Sequence, residues 1–440
     1  MRPSHGRALV RLLLLAVALA PPGVAWAQTG AQAGASESVG GEPPLGARLD
    51  ELLEMGRRLN PGVAAAALEA DAAHARIGAA GRFPDPVFTT EIEDIRASGS
   101  TAAPESVGRV KYTLAQTIPL WGKRGLERDV AQAEAGAADQ QRRSAEQELA
   151  WRIKTVFAQG YAAAATVRIT RELLATLDSI ARVAQSRYAQ GQGNQQDAIS
   201  AEAEKGRLQL DLERAEAQRL AAAARLNALL DRPAGALLAP PQSLPPVPGA
   251  DAMPLEAVLA QAEVANPQLA QARAEITAFE RSAELVQRSW YPDVTLGVTV
   301  YDEDGDNDRQ FGGYEAMVSL DVPLQWGLRR ARERDAHAKL AASRARREDA
   351  AASLRGDIAE AWWALEAARR SEGVLRRINI PQSAVMLRSA QAGYELGSAD
   401  LPGVLLAEQG VRRTELDFIG VQVEQQMRLA DLERLVGGDL

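Results

Sequence analysis

The chain has 440 residues but no cysteine, three histidines and only 5% aromatic residues. Without cysteine there is no disulfide, no thiolate metal site and no lipid-bearing cysteine behind an export signal. His5 falls in an N-terminal export-type segment, which leaves His74 and His337, too few for a zinc or copper centre of the usual kind within one chain. There is no GxSxG, no HExxH and no glycine-rich phosphate loop. The formal net charge of -8, about -11 without Arg2, Arg7 and Arg11, argues against a nucleic-acid partner. An enzyme, a cofactor and a metal centre are all unexpected from this inventory.

Long apolar runs are missing too. Arg2, Arg7 and Arg11 precede the apolar run Leu12 to Ala20, and Ala25-Trp26-Ala27 supplies a small-x-small cleavage site, so residues 1–27 read as a cleaved secretory signal. No later stretch approaches the roughly 20 apolar residues that a membrane-spanning helix needs. The exported chain is therefore expected in the periplasm, outside the cell, or as a β-structure in an outer membrane. Residues 28–47, rich in Gly, Ala, Ser and Gln with Pro43-Pro44, read as a flexible leader.

What is present is a duplication. Gln116 to Arg128 reads QTIPLWGKRGLER, and Ser319 to Arg332 reads SLDVPLQWGLRRAR. In each, alternating residues end at a proline (Pro119, Pro323), pass a Trp and a glycine (Gly122, Gly327), and enter a long Ala-rich segment of helical spacing. Proline closes a strand because it lacks an N–H, and glycine lets the chain turn. Upstream, Asn60-Pro61 and Asn266-Pro267 each separate a short helix from a longer one, and Phe83-Pro84-Asp85 matches Tyr291-Pro292-Asp293. Downstream, Tyr188 to Gly191 matches Tyr394 to Gly397. The expected organisation is a first repeat over 48–231, a Pro-rich linker over 232–254 and a second repeat over 255–437. Each repeat runs helix, strand, strand, long helix, helix, giving a mainly α chain with a small β part.

Strands are expected at about 87–95, 107–118, 294–302 and 313–322, one face apolar and the other polar. Such a sheet suits a soluble protein with one wet side, or a barrel with lipid outside and water inside. Phe83, Trp121, Trp290, Tyr291 and Trp326 all stand at the helix-side end of the strands, as an interfacial girdle would, and this favours the barrel. Four strands cannot close one, so several chains must contribute; two would give eight strands and three twelve. The long helices, about 63 residues over Leu126 to Tyr188 and about 66 over Leu328 to Gly393, match the summed shorter helices of their repeats. Short helices stacked end to end beside a long one would build a tall cylinder. Pro381 interrupts the second long helix and predicts a kink.

Basic residues cluster after the junctions: Lys123, Arg124 and Arg128, then Arg329, Arg330, Arg332 and Arg334. Positive charge at a helix N-terminus opposes the macrodipole, so outer-membrane lipid phosphate is the expected partner of Lys123, Arg124, Arg329 and Arg330, with a solvated or ion-paired face as the alternative. The acidic stretch Asp302 to Asp308 fails the calcium-loop template, with Asn307 where glycine is needed and Gly313 where a bidentate Glu should sit. A hydrated hairpin loop is expected there.

Together, the duplicated half, the Asn-Pro boundaries, FPDP, the QTIPLWGKR junction and the Tyr-x-x-Gly turn resemble the TolC-type outer-membrane factors over nearly the whole mature chain. The first junction is similar to the heavy-metal efflux branch of the CzcC type. The resemblance implies a homotrimer with a twelve-stranded transmembrane β-barrel and an α-helical periplasmic barrel. It also implies a periplasmic adaptor, an inner-membrane pump of the RND type, and a gate at the periplasmic tip. It carries Tyr394 and Asp197 onto a closing contact at a tip formed around Tyr188, Gly191, Gly397 and Asp400. The family's basic latch partner falls on Ala399 and its tip aspartates on Gly403 and Leu406, with Asp400 nearby. Drug efflux or type I secretion by the same fold is the alternative within the resemblance. A periplasmic coiled-coil adaptor is the more distant one, since it needs one long hairpin and no girdled strands.

Overall fold

The computed structural model describes residues 45–96, 106–191, 193–304 and 309–440. The signal, most of the leader and residues 305–308 of the acidic stretch lie outside them. The first half contains α1 (Leu49–Leu59), α2 (Pro61–Ala79), β1 (Val87–Arg96), β2 (Ser106–Ile118), α3 (Lys123–Ala189) and α4 (Gln195–Leu229). The second contains α5 (Leu255–Ala265), α6 (Pro267–Arg288), β3 (Asp293–Asp304), β4 (Arg309–Asp321), α7 (Trp326–Val374), α8 (Ile380–Glu395) and α9 (Leu401–Val436).

Helix α3 has 67 residues, hence about 100 Å at 1.5 Å per residue. Its Ala-rich, proline-free sequence favours the helix, and its buried residues (Leu149, Ile153, Phe157, Leu173, Leu177, Ile180, Ala184) recur at three- and four-residue spacing as a packing seam. Helices α2 and α4 both pack along α3, and α6 and α9 both pack along α7; α3 also meets α6 and α9, which joins the halves.

Where two short helices abut, one asparagine serves both. Asn60 Oδ1 accepts from Gly62 N (2.9 Å) and Val63 N (3.2 Å), capping α2, while its Nδ2 donates to Leu229 O of α4 (3.0 Å). Asn266 repeats the device with Leu269 N (2.8 Å) and Leu435 O of α9 (2.7 Å). Around each joint lies an equivalent core: Leu52, Val63, Ile153, Phe157 and Leu226 in one half, and Val258, Leu269, Ile358, Leu365 and Leu432 in the other. Gly437 ends α9 at φ +89°, where a Cβ would stand 2.8 Å from Ala265 O, so only glycine lets α9 end against the α5–α6 joint.

The second long helix is continuous but irregular. Between α7 and α8, Leu375–Asn379 form a π-helical turn just before Pro381. Pro381 has no N–H for the carbonyl four residues back, and its ring crowds that carbonyl; widening the preceding turn accommodates both.

The four strands form one antiparallel sheet in the order β1-β2-β3-β4, so the two halves meet through β2 and β3. The register places Phe88, Leu114, Val298 and Ala316 on one face, and Thr89, Thr113, Thr299 and Glu315 on the other. On the polar face Thr113 and Thr299 hydroxyls meet at 2.8 Å, those of Thr117 and Thr295 at 2.9 Å, and Lys111 Nζ donates to Glu93 Oε1 at 2.9 Å. The apolar face is bare: Phe88, Ile92, Leu114, Val298, Tyr314, Val318 and Leu320 are all exposed. Among the described residues no helix is long and apolar enough to cross a membrane.

Candidate functional site

The strand-to-helix junction is one end of the molecule's working parts. Trp121 and Gly122 both have left-handed backbone, φ 63° and 78°, and together turn β2 past Pro119 into α3. Left-handed geometry is costly for a bulky residue. Trp121 is held in it by a hydrogen bond from Nε1 to Pro292 O (3.0 Å) and by stacking on Tyr291 at 5.1 Å. The second junction differs. Trp326 and Gly327, beyond Pro323, are already the first residues of α7, so Gly327, expected to permit a change of direction, adopts no glycine-only conformation. The turn there is made by Gln325, outside the helix.

Phe83, Trp121, Tyr291 and Trp326 are exposed beside the sheet, and Trp290, less so, donates from Nε1 to Glu333 (2.5 Å). Three of the basic residues, Lys123, Arg124 and Arg329, have partners within the chain, in line with the ion-paired alternative. Lys123 Nζ reaches both carboxylate oxygens of Asp293 (2.8 and 2.9 Å) and Tyr291 O (2.9 Å). Arg124 donates from Nε to Gly81 O (2.6 Å) and lies over the Phe83 ring at 3.7 Å. Arg329, the equivalent of Arg124, donates to Ser289 O, the equivalent of Gly81. Each arginine thus answers a carbonyl where the preceding helix ends, which explains positive charge at this N-terminus without lipid phosphate. Arg330 stays exposed.

At the other end, Gly191 (φ 72°) and Gly397 (φ 74°) make the two turns that return α3 to α4 and α8 to α9. Tyr394 is buried, Tyr188 half exposed. The group directly on Tyr394 is Arg187: its guanidinium donates to the Tyr394 carbonyl and lies 5.0 Å from the ring centroid. Burial raises the Tyr394 phenol pKa, the charge of Asp197 raises it further, and Arg187 opposes both. No hydrogen bond joins Tyr394 and Asp197 among the described residues; the side chain in contact with Tyr394 is that of Arg187. Asp400 caps α9, accepting from Gly403 N at 3.2 Å. No cluster able to hold a metal ion occurs among the described residues.

An exposed apolar sheet face, a polar opposite face, a ring-bearing junction and a long helical body with turned tips define an outer-membrane channel. The chain belongs to the outer membrane efflux protein family, whose model matches twice, over residues 52–232 and 258–438. It is 27% identical over 409 residues to the cobalt-zinc-cadmium resistance protein CzcC of Cupriavidus metallidurans, covering 88% of this chain and 90% of CzcC. Its fold is shared with the outer-membrane channel OprN (TM-score 0.77, 20% identity, 89% of this chain and 90% of OprN). The outer membrane protein VceC of Vibrio cholerae shares it too (TM-score 0.74, 17% identity, 89% and 96%). The chain is thus a transport protein of the outer membrane, not an enzyme.

Proposed function

We propose that this channel is the exit duct of a tripartite heavy-metal efflux assembly, conducting divalent or other heavy-metal cations from the periplasm to the exterior. The observation that carries it is the likeness to CzcC across both halves of the chain. A duct that conducts without binding needs no His or Cys ligands, so their scarcity is in keeping with metal cargo.

The working form is a homotrimer. Strands β1 and β4 each have one unpaired edge in the four-stranded sheet, and three copies joined edge to edge give the twelve strands of a closed barrel. Its apolar face meets lipid, and the girdle aromatics mark the membrane surface. A second copy also covers apolar residues that one chain leaves exposed, Ile199, Leu210 and Leu220 on α4 and Val385 and Met386 on α8. The signal is cleaved, the helical body lies in the periplasm, and its tip, around Tyr188, Gly191, Asp197, Tyr394, Gly397 and Asp400, engages a periplasmic adaptor and an inner-membrane pump of the RND type. Of Lys123, Arg124, Arg329 and Arg330, it is Arg330 that stays exposed to contact lipid phosphate.

Gene deletion followed by growth inhibition across zinc, cobalt, cadmium, nickel, copper and silver, alongside dyes, detergents and antibiotics, tests the cargo. Hypersensitivity confined to metals, with raised cell metal content, is expected. Hypersensitivity to organic compounds alone overturns the metal assignment and moves the duct to drug efflux.

A further inference from the structure

Glu408 of α9 is fully buried, and neither carboxylate oxygen has a hydrogen-bond partner. The buried carboxylate of Glu433, by contrast, receives Lys154 Nζ at 2.8 Å. Beside Glu408 stands Glu204 of α4, also buried, with an orphaned oxygen of its own. The nearest cation, Arg412, is one helical turn along α9, yet it is directed across to α4, 3.2 Å from Asp211 Oδ2 and 3.7 Å from Glu204 Oε1. Arg207 stands 3.6 Å from the other Glu204 oxygen. The surrounding core from α3, α8 and α9 is apolar, with Leu173, Leu177, Leu387 and Val404, apart from the Tyr394 phenol nearer the tip. The charges acting on Glu408 are Arg412 and Glu204.

We propose that Glu408 is a proton-controlled contact: neutral, it lets α9 seat against α4, and on ionising it loosens that seam beside the periplasmic tip. Glu408 lies seven residues into α9, about 10 Å from the tip turn, and Glu204 nine residues into α4, about 14 Å from it. Among the described residues Glu408 has Arg412 as its one cationic neighbour, and Arg412 is shared with Glu204 and Asp211, so a charge on Glu408 beside Glu204 is costly. Burial raises the Glu408 pKa, Arg412 offsets part of that, and Glu204 adds to it. Because the folded-state pKa lies above the ordinary value, the contact's stability is fully present in acid and is lost as pH rises through the folded pKa. An acidified periplasm therefore tightens this part of the tip, and alkaline conditions loosen it. The consequence for gating rests on the duct reading; the contact itself does not.

Hydrogen exchange of the purified full-length protein from about pH 5 to about pH 9, corrected for intrinsic rates, tests it. In the wild type, protection of amides in 195–215 and 401–415 should fall with rising pH, about tenfold for each unit over which the two states differ in protonation. Glu408→Gln, which stays neutral, should hold protection level across the range. Glu204→Gln removes the neighbouring charge and frees Arg412, so the transition should move to lower pH; this keeps the test open if the first variant folds poorly. Parallel loss of protection in wild type and Glu408→Gln, or a Glu204→Gln transition that does not move, overturns the proposal. Planar-bilayer conductance separates the two readings: none at any pH, with the exchange pattern intact, counts against the duct and not the switch.

Discussion

Asn266 binds two helices that are remote in sequence: its amide nitrogen donates 2.7 Å to the carbonyl of Leu435, 169 residues away, while its oxygen caps α6. The composite column of α9 and α6 depends on this one side chain, as the column of α4 and α2 depends on Asn60. Asn266→Ala removes a cap and strands a carbonyl in a buried joint, and should cost about 2–4 kcal/mol. Asn60→Ala, at a more exposed joint, should cost about half as much. Urea unfolding of both variants checks the order; equal losses would mean that burial of the joint does not set the cost.

Lys154 ties the end of α9 to α3 through Glu433 (2.8 Å) and Asp439 (2.8 Å). Lys154→Met leaves Glu433 buried without its cation, an expected loss of about 3 kcal/mol near neutral pH. The Asp439 pKa is lowered, chiefly by the Lys154 hydrogen bond, so its contribution is present above the ordinary carboxylate range and lost as pH falls through the folded value. The Lys154 pKa is raised by its two carboxylates against the opposing cost of burial, so its contribution disappears only as pH rises through the folded value. Melting temperature against pH, wild type beside variant, should therefore converge at the acid end.

Arg187 holds Tyr394 by carbonyl and ring at once. Arg187→Ala should release the α8 end and raise single-channel conductance or opening frequency, about tenfold if the pair contributes ~1.4 kcal/mol to the closed state. Arg187→Lys should recover little, since a lysine cannot keep the planar stack. Unchanged conductance in both variants would remove this contact from the gate.

Pro381→Ala returns an N–H donor to the helix. The π turn at Leu375–Asn379 should relax to α-helix, with a stability gain of up to about 3 kcal/mol. If that turn is a hinge for α8, the gain comes with slower opening. Unfolding and bilayer recordings on one preparation distinguish a tolerated bend from a hinge.

Much of this architecture is written in local sequence. Prolines 119 and 323, the alternation in the strands, the Ala-rich proline-free runs and the Asn-Pro boundaries state their elements because each acts on its own backbone or its immediate neighbours. The duplication amplified them, since a weak signal seen twice at the same spacing is a strong one. The strand faces were legible too, because pairing follows parity along each strand.

What local sequence did not state was where long side chains end. Lys123, Arg124 and Arg329 look like exposed cations after a strand; only the return of α2 and α6 to the same junction supplies Gly81 O, Ser289 O and Asp293 as partners. Gly327 looks like Gly122, yet the second helix begins two residues earlier relative to that glycine. Arg187 carries no motif and reaches Tyr394 only because α3 and α8 end side by side, and Glu408 is buried because α3, α4 and α8 all pack around α9. Turns, caps and periodicity act over a few residues and so can be read directly, whereas the partner of a charge is set by elements well separated in sequence, such as Arg124 and Gly81 or Arg187 and Tyr394, and is decided when they pack.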